Sequence, residues 1–317
     1  MMNKKERLEA FFNNEEMDHV PVGLWRHFPP EESHGQAYID AQMKFYRETD
    51  QDFVKISCDG YFGFPNPVLE NLEKPEDLFD IKPLGKDHPF IAEQVLRGAD
   101  IVKALAGECM CFYTMFCPLS YLRLQVGWDK MMECIRANPK AVKFACDVIA
   151  EDVKALVKGL IEAGVDGVFY AVQNAEINRF TVEEYKNWVM PSDKKVLDYA
   201  NALGKRNILH CCGWEDVRNN LEVWEDYESA AVNWAAYTEQ LDVPHAKEFF
   251  HRPIWGGFDN KEKGILYKGT KKEIQEETKN LIRQGGKKGF MLGPDCSLPN
   301  GIDIEHIKWV VEAARDV

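Results

Sequence analysis

NILHCC (Asn207–Cys212), closed by Gly213, and GFML (Gly289–Leu292), which runs on through GPDCSLP to Pro299, are the stretches on which the fold turns. Each is a short apolar run ending in a glycine turn. Neither alternates strictly between apolar and polar residues, which is the pattern of a parallel strand buried on both faces. Working outward, six more runs of this kind can be marked: Val20–Trp25 (VPVGLW), Asp52–Cys58 (DFVKISC), Cys109–Phe116 (CMCFYTMF), Asp166–Val172 (DGVFYAV), Ala230–Trp234 (AAVNW) and Pro253–Trp255 (PIW). Helical signals fill the gaps between them. Ala141–Ala163 carries Val142, Ala145, Ile149, Val153, Leu156 and Leu160 at a helical period. Thr181 with Glu184, and Thr270 with Glu273, fit capping boxes, and Gly204 and Gly285 fit helix stops. Eight strands alternating with helices imply an α/β protein, a (β/α)8 TIM barrel forming a single domain over residues 1–317. An open doubly wound sheet is the less natural alternative.

Composition sets the outer limits. The chain has 317 residues, 45% of them hydrophobic, which is enough for a large core. It has no apolar stretch of membrane-spanning length, and MMNKKERLEAFFNNEEMDHVP lacks the apolar segment of a secretory signal. The expected location is the cytoplasm. A net charge of -13 argues against nucleic acid or an anionic membrane as a partner. Nine cysteines in such a chain suggest buried thiols, metal ligands or catalytic thiols rather than a disulfide framework. No P-loop or dinucleotide-binding glycine fingerprint is present.

One region breaks the rhythm. Residues 59–90 hold Pro65, Pro67, Pro75, Pro83 and Pro89 and show little periodicity. A loop that long after a barrel strand is either a lid over the site or a packed structural excursion.

The chemistry gathers at the ends of the two opening stretches. Side chains alternate along a strand, so His210 and Cys212 project to one side and Cys211 to the other. An imidazole and a thiolate so placed can reach one metal ion, and zinc favours that pairing. Cys296, just past another strand, supplies a third ligand across the barrel mouth. Three protein ligands leave a position for substrate, as in catalytic zinc sites. The competing reading is plain: cysteine is among the most buried residue types, and a Cys-Cys pair in a strand is often core. Cys109 and Cys111 share the spacing but have no histidine beside them, so they are expected to be core.

HCCG, then Asn233-Trp234, then Gly256-Gly257, then GPDCSLP, together with AGVDGVFYAVQ (Ala163–Gln173) and PVGLWRH near the N-terminus, resembles the uroporphyrinogen decarboxylase superfamily. Within it the chain is most similar to the branch of cobalamin-dependent, methylcobalamin:coenzyme M-like zinc methyltransferases. The resemblance implies zinc held by His210, Cys212 and Cys296. It also implies transfer of a methyl group between a corrinoid and a small donor or acceptor, such as a thiol, a folate or a methylated compound. The chain has no corrinoid-binding D-x-H-x-x-G, so methylcobalamin would arrive on a separate corrinoid protein.

The same superfamily contains metal-free decarboxylases that hold a polycarboxylate tetrapyrrole with N-terminal arginines. PVGLWRHFPPEESHG offers only Arg26 and adds Glu31 and Glu32, a poor cradle for such a substrate. Decarboxylation is therefore the second reading, and a barrel that has lost its chemistry the third. Asp59 occupies the place of the decarboxylase aspartate and is, with Asp295, a catalytic candidate; Arg26, Tyr61, Gln173 and Asn233 are substrate-binding candidates.

Overall fold

The computed structural model describes residues 1–204, 206–213 and 216–317. Seven strands form one parallel sheet in chain order: β1 (Phe53–Ile56), β2 (Met110–Phe116), β3 (Gly167–Val172), β4 (Ile208–Cys211), β5 (Ala231–Trp234), β6 (Ile254–Phe258) and β7 (Phe290–Pro294). Helices follow the strands, as the right-handed parallel crossover requires, and the sheet curls into a TIM-barrel-like α/β fold. Among the described residues, no helix is long and apolar enough to cross a membrane.

The expected strand at Val20–Trp25 is not one. Its residues occupy the eighth place in the barrel as irregular chain. Leu292 donates to the Pro21 carbonyl and Gly23 donates to the Leu292 carbonyl, each at 2.9 Å, which joins this segment to β7. On the other side Asp52 N–H donates to the Val22 carbonyl at 3.1 Å. Leu298 N–H donates to the Trp25 carbonyl at 2.8 Å, and side chains take the N–H groups left over: Val22 N–H donates to Asp52 Oδ2 at 2.8 Å, and Leu24 N–H donates to Gln51 Oε1. Pro21 has no N–H to give to a ladder. Gly23 must be glycine, because a Cβ there would fall 2.0 Å from the Phe53 ring.

The pleat sorts the strand residues into two cores. Those facing outward pack under the helices. Those facing inward form an aromatic layer of Phe53, Phe112, Phe169, Ile208, Trp255 and Met291, closed by Trp25 and, from below, by Leu8 and Phe11 of the Lys4–Phe12 helix. Ring centroids in this layer lie 4.7 Å apart for Trp25–Trp255 and 5.0 Å for Phe53–Trp255. Two residues further along each strand, on the same face, stand Lys55, Thr114, Ala171, His210 and Asn233. The aromatic layer is thus the floor on which a polar layer rests at the C-terminal mouth.

The long helix is present as Pro139–Glu162, and both threonine capping boxes form. Gly204 caps its helix, whereas Gly285 is the last helical residue and Gly286, at φ 69°, ends the helix. Residues 59–90 are mostly a packed excursion. They hold a Pro67–Glu70 turn of helix and a Pro75–Asp80 3-10 helix, with Leu69, Leu78 and Ile81 buried. Asp152 of the long helix fastens them by accepting from Leu84 and Gly85 N–H at 2.8 and 2.9 Å. Phe62 alone of the loop reaches the cavity described next.

Candidate functional site

β4 ends on Cys211, and its pleat carries His210 and Cys212 to the barrel interior while Cys211 packs outward among the helices. β7 ends on Pro294, and the following turn brings Cys296 across the mouth. His210 Nε2 lies 3.7 Å from Cys296 Sγ, the two sulfurs are 3.9 Å apart, and the three ligand atoms fall within 4.8 Å of one another. Tetrahedral zinc, with bonds of ~2.3 Å to sulfur and ~2.0 Å to nitrogen, spaces two sulfurs roughly 3.8 Å apart and a sulfur and nitrogen roughly 3.5 Å apart. The donor set and the two spacings made by Cys296 therefore fit zinc. Cys109 and Cys111 are buried and, among the described residues, belong to no such cluster.

The surroundings prepare each ligand. Asn233 Nδ2 donates to the carbonyls of Trp255 and Pro294 at 2.7 and 3.1 Å, which fixes the amide with its oxygen toward His210 Nδ1. An amide oxygen only accepts, so Nδ1 carries the proton and Nε2 turns its lone pair toward Cys296. Phe169 stacks on the imidazole, with centroids 4.8 Å apart. Gln173 is oriented in the same way: Arg123 donates to its Oε1 at 2.6 Å, and its Nε2 points at Cys212 Sγ from 3.6 Å. Hydrogen bonding from Cys212 holds the Cys296 thiol well below the usual thiol range, against the effect of burial.

The ligands open into a cavity of about 190 Å³. Its other walls include Trp25, His27, Lys55, Phe62 and Ser297. Lys55 is buried, its Nζ lying 4.9 Å from the Trp25 ring centre and 4.7 Å from that of Phe169. Burial pushes its ammonium down to about 8, while the nearby thiols and Asp59 pull the other way.

The remaining expected site residues fall into two groups. Gln173 lines the cavity, and Asn233 stands directly behind His210. Asp59 is buried one step back, bonded to His27. Burial opposes its ionisation, but bonds from His27, Ser57 Oγ and Phe28 N–H outweigh this and hold it below the usual carboxylate range. Asp295 accepts from Ala236 and Tyr237 N–H at 2.9 and 2.8 Å, tying the turn after β7 to the turn after β5. Arg26 and Tyr61 are not among the cavity-lining residues. Arg26 donates to the Asn300 carbonyl at 3.2 Å, and the Tyr61 hydroxyl donates to Glu93 at 2.9 Å.

Sequence reasoning passed over His27, Lys55, Arg123 and Ser297. Lys55 had a signal: a lysine inside an otherwise apolar strand has no ordinary place in a doubly buried sheet. Ser297 follows a proposed ligand. Arg123 sits in the helix after β2 and had none.

The description "Uroporphyrinogen decarboxylase (URO-D)" matches residues 53–317 as a family. The methylcobamide:CoM methyltransferase MtbA of Methanosarcina acetivorans is 24% identical over 254 residues, covering 80% of this chain and 71% of that protein. A uroporphyrinogen decarboxylase of Aquifex aeolicus is 23% identical over 205 residues, covering 63% and 57%. Among solved structures, a methyltransferase from Methanosarcina mazei superposes over 100% of this chain and 99% of its own with a TM-score of 0.76 at 15% identity, a likeness of fold. With a family match over most of its length, the chain belongs to the uroporphyrinogen decarboxylase superfamily, the one to which its residues point.

Proposed function

We propose that the protein is a zinc-dependent methyltransferase. It moves a methyl group between a corrinoid carried by a separate protein and a small donor or acceptor, a thiol being the simplest. The observation that carries this reading is the convergence of the His210, Cys212 and Cys296 ligand atoms to within 4.8 Å of one another beside a cavity. When bound, zinc would lower the pKa of a coordinating thiol and so supply a nucleophile at neutral pH. The chain's own residues do the rest. Asn233 sets the His210 tautomer, Gln173 directs an N–H at Cys212, and Trp25, Phe169 and Phe62 give the cavity apolar walls. All nine cysteines are free, which suits the reducing cytoplasm that a thiol-based site needs. Relatives named as methylcobamide:CoM methyltransferases support the corrinoid partner.

The cavity weighs against the metal-free decarboxylase reading. At about 190 Å³ it holds a fraction of a tetrapyrrole, and Arg26 lies outside its lining. Zinc content of protein purified without added metal tests the proposal. About one ion per chain is expected, lost in His210→Ala, Cys212→Ala and Cys296→Ala variants that keep the wild-type circular dichroism. A parent that stays metal-free after anaerobic reconstitution with zinc would sink the methyltransferase mechanism and put decarboxylation first.

A further inference from the structure

Asp59, His27 and Ser297 form a continuous hydrogen-bonded line. Asp59 Oδ1 lies 2.5 Å from His27 Nδ1, and His27 Nε2 lies 2.9 Å from Ser297 Oγ. Trp25 Nε1 donates to the same Ser297 oxygen at 3.0 Å. The line starts in the buried core and ends at the cavity. Asp59 is 2% exposed and does not line the cavity, while His27 and Ser297 both do. Ser297 is joined directly to Cys296, so the line ends beside the three-ligand cluster.

Donor and acceptor accounting fixes the protons. Asp59 is held in its ionised form and already accepts from Phe28 N–H and Ser57 Oγ through Oδ2. It can only accept, so His27 Nδ1 carries a proton. In neutral His27 the Nε2 lone pair then takes the Ser297 hydroxyl proton. In the imidazolium form Nε2–H donates to Ser297 Oγ, whose proton turns into the cavity. Ser297 keeps its bond from Trp25 in both states, so the two forms differ by one proton on Nε2 and the direction of the Ser297 hydroxyl.

We propose that this line is the proton acceptor of the site, with His27 the catalytic base and Asp59 its positioning residue; the proposal rests on the methyltransferase reading for the identity of the substrate. A small thiol in the cavity gives its S–H proton to Ser297 Oγ as Ser297 gives its own to His27 Nε2. The S–H electron pair stays on sulfur, and no oxidant or reductant is needed. Asp59 stabilises the imidazolium, which returns its proton to water at its own surface, since the His27 side chain is 39% exposed. The same exposure means that shortening His27 opens a path from solvent to Ser297.

The test uses the full-length zinc-loaded protein, 2-mercaptoethanol as the thiol and free methylcobalamin as the methyl donor. His27→Ala is expected to keep its zinc and lose about a hundred-fold or more in kcat, and added imidazole is expected to restore part of the loss. Asp59→Asn is expected to move the His27 proton from Nδ1 to Nε2, read from the 15N shifts of the imidazole, because an amide N–H can now face Nδ1. Ser297→Ala is expected to lower kcat and leave that tautomer in place. Unchanged turnover in His27→Ala, or a loss that imidazole does not relieve, overturns the proposal. So does a His27 tautomer that ignores Asp59→Asn. The tautomer is read without turnover, so a parent that binds no zinc and methylates no thiol removes the methyltransferase reading while the Asp59–His27 coupling is still decided.

Discussion

Asn233 shows how one uncharged side chain can decide the chemistry of another. Its Nδ2 is committed to two backbone carbonyls, so its oxygen has one place left to go, and that place is His210 Nδ1. Asn233→Ala should therefore weaken zinc binding by about 10- to 100-fold, the usual effect of removing a bond behind a metal ligand. It should also cost roughly 1–3 kcal/mol of stability through the carbonyls left unpaired. Competition against a chromophoric chelator measures the first effect and a urea titration the second; affinity equal to the parent's would show that the tautomer is set elsewhere. The pairing of His210 with Cys212 was legible because strand alternation is a local rule, whereas Cys296, from a distant strand end, was legible only as a candidate that the family resemblance singled out. The roles of Asn233 and Asp59 were legible only as positions. Whether such a residue touches substrate or the residue that does depends on the register between neighbouring strands, here His210 opposite Asn233. His27 was passed over because its partners, Asp59 and Ser297, come from opposite ends of the chain.

At the level of elements, the barrel closes through Val20–Trp25 without a regular strand, and side chains replace the missing ladder. Period and composition read this segment as a strand because VPVGLW is apolar. They could not see that Asp52 and Gln51 would take its N–H groups. Asp52 also binds Arg7 at 2.6 Å, both side chains being buried. Asp52→Ala should thus cost about 1–3 kcal/mol by leaving the buried Val22 N–H and one arm of the Arg7 guanidinium unpaired, Arg7 keeping its pair with Asp18 at 2.8 Å, a loss visible as a lower urea midpoint. A midpoint within error of the parent's would mean that the segment closes the barrel by backbone bonds alone. The helix Met190–Leu203 offers a second test. Its Asp193 is fully buried, accepts from Tyr185 and Tyr227 hydroxyls at 3.2 and 3.1 Å, and is pushed up to about 8, chiefly by burial. The folded state then holds a proton that the unfolded state releases near the ordinary carboxyl value. The contribution is fully present below about pH 4 and is lost as pH rises toward 8. Asp193→Asn should erase this slope, gaining on the parent by on the order of a few kcal/mol between pH 5 and 8. Parallel stability curves for the two proteins would place the proton elsewhere.

For the whole molecule, the decisive relation is between the size of the cavity and the place where it opens. A pocket of about 190 Å³ above a closed aromatic floor can admit a small thiol but not a corrin ring. On the proposed function, a methyl group on cobalt would then be presented from outside, over the ends of the strands. The segments there carry apolar side chains to solvent: Leu124 in the helix after β2, which also lines the cavity, Ile177 after β3 and Tyr237 in the short helix after β5 are 37%, 59% and 52% exposed. Each is unremarkable alone, but all three follow the C-terminal ends of strands, the end of the barrel where the ligands converge. On the proposed function, two results should follow. Free methylcobalamin should bind the zinc-loaded protein only weakly, because most of the ring would remain in water. The triple variant Leu124→Asp, Ile177→Asp and Tyr237→Asp should raise KM for the protein-carried corrinoid by about ten-fold or more, the equivalent of ~1.4 kcal/mol, while zinc content and folding stay as in the parent. Calorimetry with the free cofactor and turnover with the carried one separate these effects. Tight, saturable binding of free cobalamin would mean that the loops open far enough to enclose the ring, and the corrinoid protein would then be a delivery vehicle rather than part of the active complex.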